Sequence, residues 1–428
     1  MSAQDHFTLA NQKKSDKIDV KIINNLIIIP ITVNGTELNF LLDSGAAATI
    51  LFQVDNYQRI LLNETTPTSI AGAGSGSPVD ALESLDNTIQ IGDARSTQQP
   101  LYAILDERVD FSPQLGFPVQ GVIGYQLFKD FIVEVNYRKK HIILHEPSVY
   151  DYDSCRNCQD EALTFISKRP VISTKLKNDG NRTIAPLLID SGSSDAVWLF
   201  DYGDTGVNTP EVHFKDYLGF GLNGSITGVR ARIPEFSIGR YKLDALTSAF
   251  PDSTSIKNLQ ITNDRVGTIG GEILRRFTTI FNYKKQTIRF IPNSDFSDPF
   301  TYNKSGLIIK HGEYTIEKEI LSSNDRNVSR ANEKTQEIVN IFKTFQNYRK
   351  VLEPTYIVDE VLPNTPSERA GLVKGDQILT INGRNTSKLR LDQITNLFFQ
   401  EAGKIIRLEI RRDNTKMKIS FALKELLP

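Results

Sequence analysis

Two short stretches hold residues that could do chemistry together. "FLLDSGAAATILF" runs from Phe40 to Phe52, and "LLIDSGSSDAVWLF" runs from Leu187 to Phe200. Each ends an apolar run on an aspartate and continues with serine and glycine, as Asp43-Ser44-Gly45 and Asp190-Ser191-Gly192. A buried carboxylate is costly unless something compensates it. A lone copy reads as a turn in which Asp caps its own backbone amides. Two copies in matching contexts can instead be brought face to face. Carboxylates about 3 Å apart cannot both ionise, so they share a proton. The ionised member can draw a proton from a water held between them, and the protonated member can donate to a carbonyl oxygen. That is general acid–base hydrolysis of an amide without a covalent intermediate. Each serine hydroxyl can bond the opposite loop, and each glycine lets the backbone come close to a carboxylate.

The elements around the aspartates repeat as well. Asp43 and Asp190 lie 147 residues apart. "GVIGYQLFKDFIVEVNYRKKHIILH" (Gly121 to His145) faces "GTIGGEILRRFTTIFNYKKQTIRFI" (Gly267 to Ile291) at an offset of 146. Gly124 then matches Gly270, and Asn136-Tyr137 matches Asn282-Tyr283. The offsets predict two lobes of similar fold, residues 18–147 and 163–296, after an N-terminal segment 1–17. The polar stretch 148–162 reads as a linker. Within each lobe the pattern is β-rich. "LIIIPITVNGTELNFLL" reads as a hairpin turning at Asn34-Gly35. Short helix-compatible segments follow Gly124 and Gly270.

The paired "LLDSGA" and "LIDSGSS", each followed nearly 80 residues on by "GVIGYQL" and "GTIGGEIL", resemble aspartic proteases of the pepsin and retroviral-protease group. That resemblance implies mainly β architecture, with two retropepsin-like β-barrel lobes forming a cleft. It implies that Asp43 and Asp190 are the catalytic pair, supported by Ser44, Gly45, Ser191 and Gly192. Gly124 and Gly270 fall on the glycine of the ψ-shaped loop beneath each aspartate. The lobes are short for pepsin and nearer retroviral size. In the family a glycine-tipped hairpin, the flap, closes the cleft. "SIAGAGSGSPVDAL" (Gly72, Gly74, Gly76) fits that place in lobe 1, and "GFGLNGSITGVRARI" (Gly221, Gly224) in lobe 2. Neither carries the tyrosine that pepsin-like flaps set over the aspartates.

After Pro292 the pattern changes. Strand-like Tyr356 to Val361 leads to a short helix capped near Thr365, with Pro366 in its first turn and Gly371 after it. "SKLRLDQITNLFFQE" reads as an amphipathic helix, and "KIIRLEIRRDNTKMKISFAL" as a hairpin turning at Asp413-Asn414. Through "TPSERAGLVKGDQILTING" this part resembles a bacterial-type PDZ domain, an α+β unit over residues 297–428 with a helical insertion near 325–350. The family binds a chain terminus by β-augmentation. "KSGLII" places Ser305, Gly306, Leu307 and Ile308 at the expected carboxylate loop and strand.

Other patterns lead elsewhere. "GFGLNG" matches a dinucleotide fingerprint in letters, but strands, not a helix, are expected after it. "GAGSGS" has the wrong spacing for a nucleophile elbow. A serine hydrolase using Ser191 or Ser193 lacks a histidine partner. His141 and His145 have no acidic cluster beside them, so no metal is expected, and no cofactor. Trp198 is expected to pack behind Asp190. Cys155 and Cys158, the only cysteines, fit a loop disulfide or two free thiols rather than redox catalysis. Lys+Arg is 50 against Asp+Glu 51, so no basic excess points to nucleic acid. No apolar run is long enough to span a bilayer. "MSAQDHF" lacks the features of a signal peptide, which suggests the cytosol, although "SAQ" also fits a processed export signal; the compartment stays open. The expectation is a monomeric bacterial endopeptidase acting on a peptide or protein, with a partner's C-terminal tail in the PDZ groove. The alternative is an inactive protease-like scaffold that binds peptides.

Overall fold

The computed structural model describes residues 5–52, 60–152, 155–178, 180–201, 206–259, 264–320 and 348–427. The chain is mainly β, arranged in several sheets, with a separate five-strand path in its C-terminal part. Among the described residues no helix is long and apolar enough to cross a membrane.

In lobe 1 the strand Leu26–Val33 is a run of β-branched residues, buried on nearly every position. It turns at Asn34 and Gly35, both at positive φ, into Thr36–Leu42. Two consecutive positive φ values match the right-handed twist of a hairpin, which is why Asn-Gly suits that place. Thr36–Leu42 pairs in parallel with Gly121–Ile123, which pairs with Ile50–Leu51, which pairs with Ala94–Ile104. Val79–Ile91 pairs with both Ala94–Ile104 and Leu26–Val33, so the order of pairings returns to its start. Lobe 2 repeats the scheme. Asn181–Ile189 pairs in parallel with Gly267–Ile269, followed by Val197–Leu199, Tyr241–Pro251, Gly224–Ile238 and Arg169–Asn178.

A six-stranded sheet ties the lobes together. Its centre is the antiparallel pair Ile132–Asn136 and Phe277–Asn282, one strand from each lobe, with Val133 opposite Phe281. One apolar core runs through both lobes and this sheet, from Ile27 and Phe40 to Leu187 and Phe281. The two aspartate loops are therefore fixed relative to each other by a shared core.

The C-terminal unit has its own core, with Leu307, Val358, Ile378, Ile394 and Phe398. Its strands run in the order Leu307–His311, Tyr356–Val361, Gln377–Ile381, Ile405–Arg412, Thr415–Ala422. The expected helix near 391 is one turn, Leu391–Thr395, continued by a 3-10 segment Asn396–Phe399. Asp413 and Asn414 both have positive φ at the final hairpin. The ribbon Thr315–Ile320 with Tyr348–Glu353 flanks residues 321–347; the helix expected near 325–350 lies, but for its last residues, outside the described residues. Phe300 packs into the core of the lobes, so the C-terminal unit's own core begins only at Leu307.

The connection between the two parts is anchored. The fully buried Arg276 lies 3.8 Å from the ring centre of Phe300 and donates to the carbonyls of Phe296 and Asp298. Tyr302 stacks near Phe214 of lobe 2, and its hydroxyl accepts the N–H groups of Leu426 and Leu427 at 2.9 and 2.8 Å. Cys155 and Cys158 are disulfide-bonded in the linker.

Candidate active site

Each aspartate sits where an apolar strand reaches the interface between lobes. The Asp43 N–H donates to the carbonyl of Ile123 at 2.9 Å, and the Asp190 N–H to the carbonyl of Ile269 at 2.9 Å. The parallel strands Gly121–Ile123 and Gly267–Ile269 thus hold the two loops in the same way. Gly124 and Gly270 are needed for close approach. A Cβ on Gly124 would lie 2.2 Å from the Asp43 carbonyl oxygen, and one on Gly270 2.3 Å from that of Asp195.

The serines lock the loops to each other. Ser44 Oγ donates to the Ile189 carbonyl at 2.8 Å and accepts the Ser191 N–H at 3.1 Å. Ser191 Oγ donates to the Leu42 carbonyl at 2.7 Å and accepts the Ser44 N–H at 3.0 Å. Both side chains are buried. Their hydroxyls are thus committed, which removes the reading of Ser191 as a nucleophile. The glycines face the carboxylates across the interface. A Cβ on Gly192 would lie 2.4 Å from Asp43 Cγ, and one on Gly45 2.9 Å from Asp190 Cγ. Within its own loop, the Gly45 N–H donates to Asp43 Oδ1 at 2.7 Å and the Gly192 N–H to Asp190 Oδ1 at 2.9 Å.

The carboxyl groups of Asp43 and Asp190 contact each other on the floor of the cleft. Burial pushes Asp43 well above the usual carboxylate range, and the charge of Asp190 adds to it. Burial also raises Asp190, against the opposing pull of Asp43, Arg265 and the Gly192 N–H. The pair titrates as a unit, and the charge of Arg265 acts on its Asp190 side. Beneath the loops, Tyr137 and Tyr283 are held neutral. Burial raises both, reinforced by Asp190 at Tyr137 and by Asp43 at Tyr283.

Both glycine-rich hairpins reach over the cleft, and their tips meet. Thr65–Ile70 pairs with Val79–Ile91, and His213–Gly221 with Gly224–Ile238, leaving Leu222 and Asn223 at the second tip. Asn223 is buried and joins the hairpins. Its Oδ1 accepts the Gly72 N–H at 2.5 Å, its Nδ2 donates to the Ser77 carbonyl, and its N–H donates to the Ala73 carbonyl at 2.9 Å. A Cβ on Gly72, Gly74, Gly76 or Gly221 would strike the opposite hairpin at 2.4–2.9 Å, whereas Gly224 faces open space at φ +95°. The segment after "GFGLNG" is strand, so the fingerprint is a decoy.

Trp198 packs against the buried cluster of Leu218, Ile226 and Ala249 and also lines the cleft, half-buried, where its Nε1–H donates to Asp195 Oδ2 at 2.7 Å. Asp195 also pairs with Arg230 at 3.0 Å, and Arg230 with Asp216 at 2.5 Å. Asn223, Arg169, Arg265 and Tyr217 all line the site or bridge it without a motif that marks them. Arg169 Nε donates to the Gly45 carbonyl at 3.0 Å. The only local signal was that Arg265 stands two residues before "GTIGG", where lobe 1 has Val119.

Residues 29–127 match the family model for an aspartyl protease, a span that includes Asp43-Ser44-Gly45 and Gly124. Residues 357–412 match the model for a PDZ domain. The chain therefore joins an aspartyl protease domain to a C-terminal PDZ domain. No curated protein matches it.

Proposed function

We propose that the chain is an aspartic endopeptidase, with Asp43 and Asp190 as its catalytic residues. The observation that carries this reading is the contact of two half-buried carboxyls on loops locked by reciprocal serine bonds and close glycine contacts across two lobes. At working pH the pair holds one proton. Asp190, facing Arg265, is the ionised member that takes a proton from the attacking water. Asp43 carries the shared proton and donates it to the carbonyl oxygen of the scissile amide. Ser44, Ser191, Gly45 and Gly192 are positioning residues. The hairpins tipped by Gly72–Gly76 and Leu222–Asn223 act as flaps that must part to admit an extended peptide. The two lobes complete the site within one chain, so a monomer suffices.

The PDZ unit serves the same peptide or a partner through a C-terminal tail. In support, the cavity of about 1160 Å³ that contains Asp43 and Asp190 continues to Leu307, Ile308, Thr395 and Phe399. Asn303 Oδ1 orders the expected carboxylate loop by accepting the N–H groups of Ser305 and Gly306, and Gly306 has φ +74°. The loop lies beside Phe398, whose carbonyl accepts the Lys304 N–H at 2.9 Å. The lobe 1 helix Ser112–Leu115 packs on Leu307–His311, and Gly116 meets Leu391.

The test is a peptide-library digest across pH with wild type, Asp43→Asn and Asp190→Asn, and a statine-type inhibitor as control. Cleavage by wild type alone, blocked by the inhibitor, is expected. Equal cleavage by the variants would sink the aspartic mechanism.

A further inference from the structure

The walls flanking the aspartates come from corresponding positions but differ in chemistry. Beside Asp43 the wall includes Leu41, Ile50 and Val122. Beside Asp190 it includes Leu188, Thr268 and Arg265. Val119, the lobe 1 counterpart of Arg265, is buried in an apolar cluster with Phe52 and Leu115. Arg265 is only 8% exposed. Its guanidinium lies 5.6 Å from the ring centre of Phe200, and Nη2 donates to Thr268 Oγ1 at 3.2 Å. Its Nε has no hydrogen-bond partner among the described residues.

The other arginines of the cleft are engaged. Arg230 sits between Asp195 and Asp216, Arg275 pairs with Glu272, and Arg169 donates to the Gly45 carbonyl. A guanidinium has five N–H donors, and burying it with most of them unmet is costly. The charges acting on Arg265 are Asp190 and Arg169. With one proton on the aspartate pair, one negative charge faces two positive ones. Burial lowers Arg265 only to about 10, so it stays charged at neutral pH.

We infer that Arg265 is a specificity-determining residue that receives the side-chain carboxylate of an aspartate or glutamate beside the scissile bond. The opposing wall of Leu41, Ile50 and Val122 takes an apolar side chain. This rests on the endopeptidase reading and names its substrate class. The planar fork suits a carboxylate, and an amide of the same shape offers the buried donors a poorer partner.

The test uses the full chain and two sets of peptides that differ only by Glu or Gln at each position flanking the scissile bond. One set is cleavable and read as kcat/KM. The other carries a non-cleavable statine-type unit and is read as Kd. Wild type should prefer Glu at one position by about tenfold or more, the range of a charge-assisted hydrogen bond. Arg265→Gln should erase that preference, bringing the Glu/Gln ratio to about one in Kd as well as in kcat/KM, and Arg265→Glu should favour Lys there. If Arg265→Gln melts early, Arg265→Lys serves instead, with a reduced Glu preference expected. A residue that only tuned Asp190 would change kcat and the pH profile for both peptides alike while the Glu/Gln ratio stayed as in wild type, and that result overturns the assignment. So does equal binding of the Glu and Gln analogues by wild type. Discrimination in Kd without any turnover would sink the endopeptidase reading and leave Arg265 assigned; turnover without discrimination would do the reverse. Failure of wild type to bind either analogue overturns both.

Discussion

Lobe 1 and lobe 2 deliver the same tripeptide by the same route and then diverge in parts of the cleft wall and in the hairpin tips. In both, a buried strand runs into Asp-Ser-Gly, and a short parallel strand followed by glycine supports it. Around that frame, Val122 corresponds to Thr268 and Val119 to Arg265, and a glycine-rich tip meets a two-residue tip held by Asn223. The difference separates two kinds of constraint. Backbone hydrogen bonds and close glycine contacts at the interface admit few residues, whereas the pocket walls need only the right volume and are free to differ in charge.

The sharpest way to break the comparison is at the aspartates. If the loops are equivalent partners in one site, Asp43→Asn and Asp190→Asn should each lower kcat/KM by at least about 10²–10⁴-fold, with the fold intact. Steady-state kinetics on a common peptide checks this. A large loss in only one variant would mean that the lobes do not contribute alike.

Next in size are the serines. Ser44→Ala leaves the Ile189 carbonyl and the Ser191 N–H without their partner, and Ser191→Ala does the same to Leu42 and Ser44. Buried groups left unpaired cost about 1–3 kcal/mol each. Both variants should melt early and by similar amounts. A shift in only one would show that the reciprocal bonds are not equal in strength.

The pH dependence sharpens the same point. Both carboxyls have folded-state pKa values raised above their unfolded values. Each therefore binds its proton more tightly when folded. That contribution is fully present below the unfolded pKa and is lost as pH rises through the folded one. Wild type should lose stability relative to Asp43→Asn across that window and not below it. Parallel curves in thermal melts from acid to neutral pH would mean that the Asp43 carboxyl is not raised in the folded state.

How much of this could be read beforehand follows from those constraints. The aspartate loops, Gly124 and Gly270 were legible because close approach demands specific residue types at a fixed offset. Asn34-Gly35 and Asp413-Asn414 were legible because hairpin turns demand positive φ. Asn223 was not, since its role depends on a hairpin tip meeting residues about 150 positions away. That Trp198 lines the cleft as well as packing on an apolar cluster is not legible, because an apolar run looks the same whichever way its indole faces. Phe300 was assigned to the C-terminal unit because sequence shows where composition changes, not which core a side chain enters.

A smaller effect is expected at the flap tips. Asn223→Ala removes the acceptor for the Gly72 N–H and the donor to Ser77. Amide exchange should accelerate in residues 71–78 and less in 213–221, which keep their ladder to Gly224–Ile238. Unchanged exchange in 71–78 would mean that the first tip is held by its remaining bonds to Ser255 and Asn258.

The smallest effect separates the lobes from the C-terminal unit. If one peptide occupies both the cleft and the groove, a free C-terminal carboxylate should lower KM a few-fold relative to the amidated peptide, with kcat unchanged, because the added contact is uniform binding. The difference should appear only for peptides long enough to reach from Asp43 to the loop at Ser305 and Gly306, at about 3.3 Å per extended residue. A chain ending at residue 302 keeps Phe300 in the core and the carbonyls that hold Arg276, so it should still cleave short peptides but lose the acid–amide difference. A chain ending at residue 296 loses Phe300 and the Asp298 carbonyl and should melt early. Equal KM for acid and amide at every length in the full chain would mean that the groove and the cleft do not share a substrate.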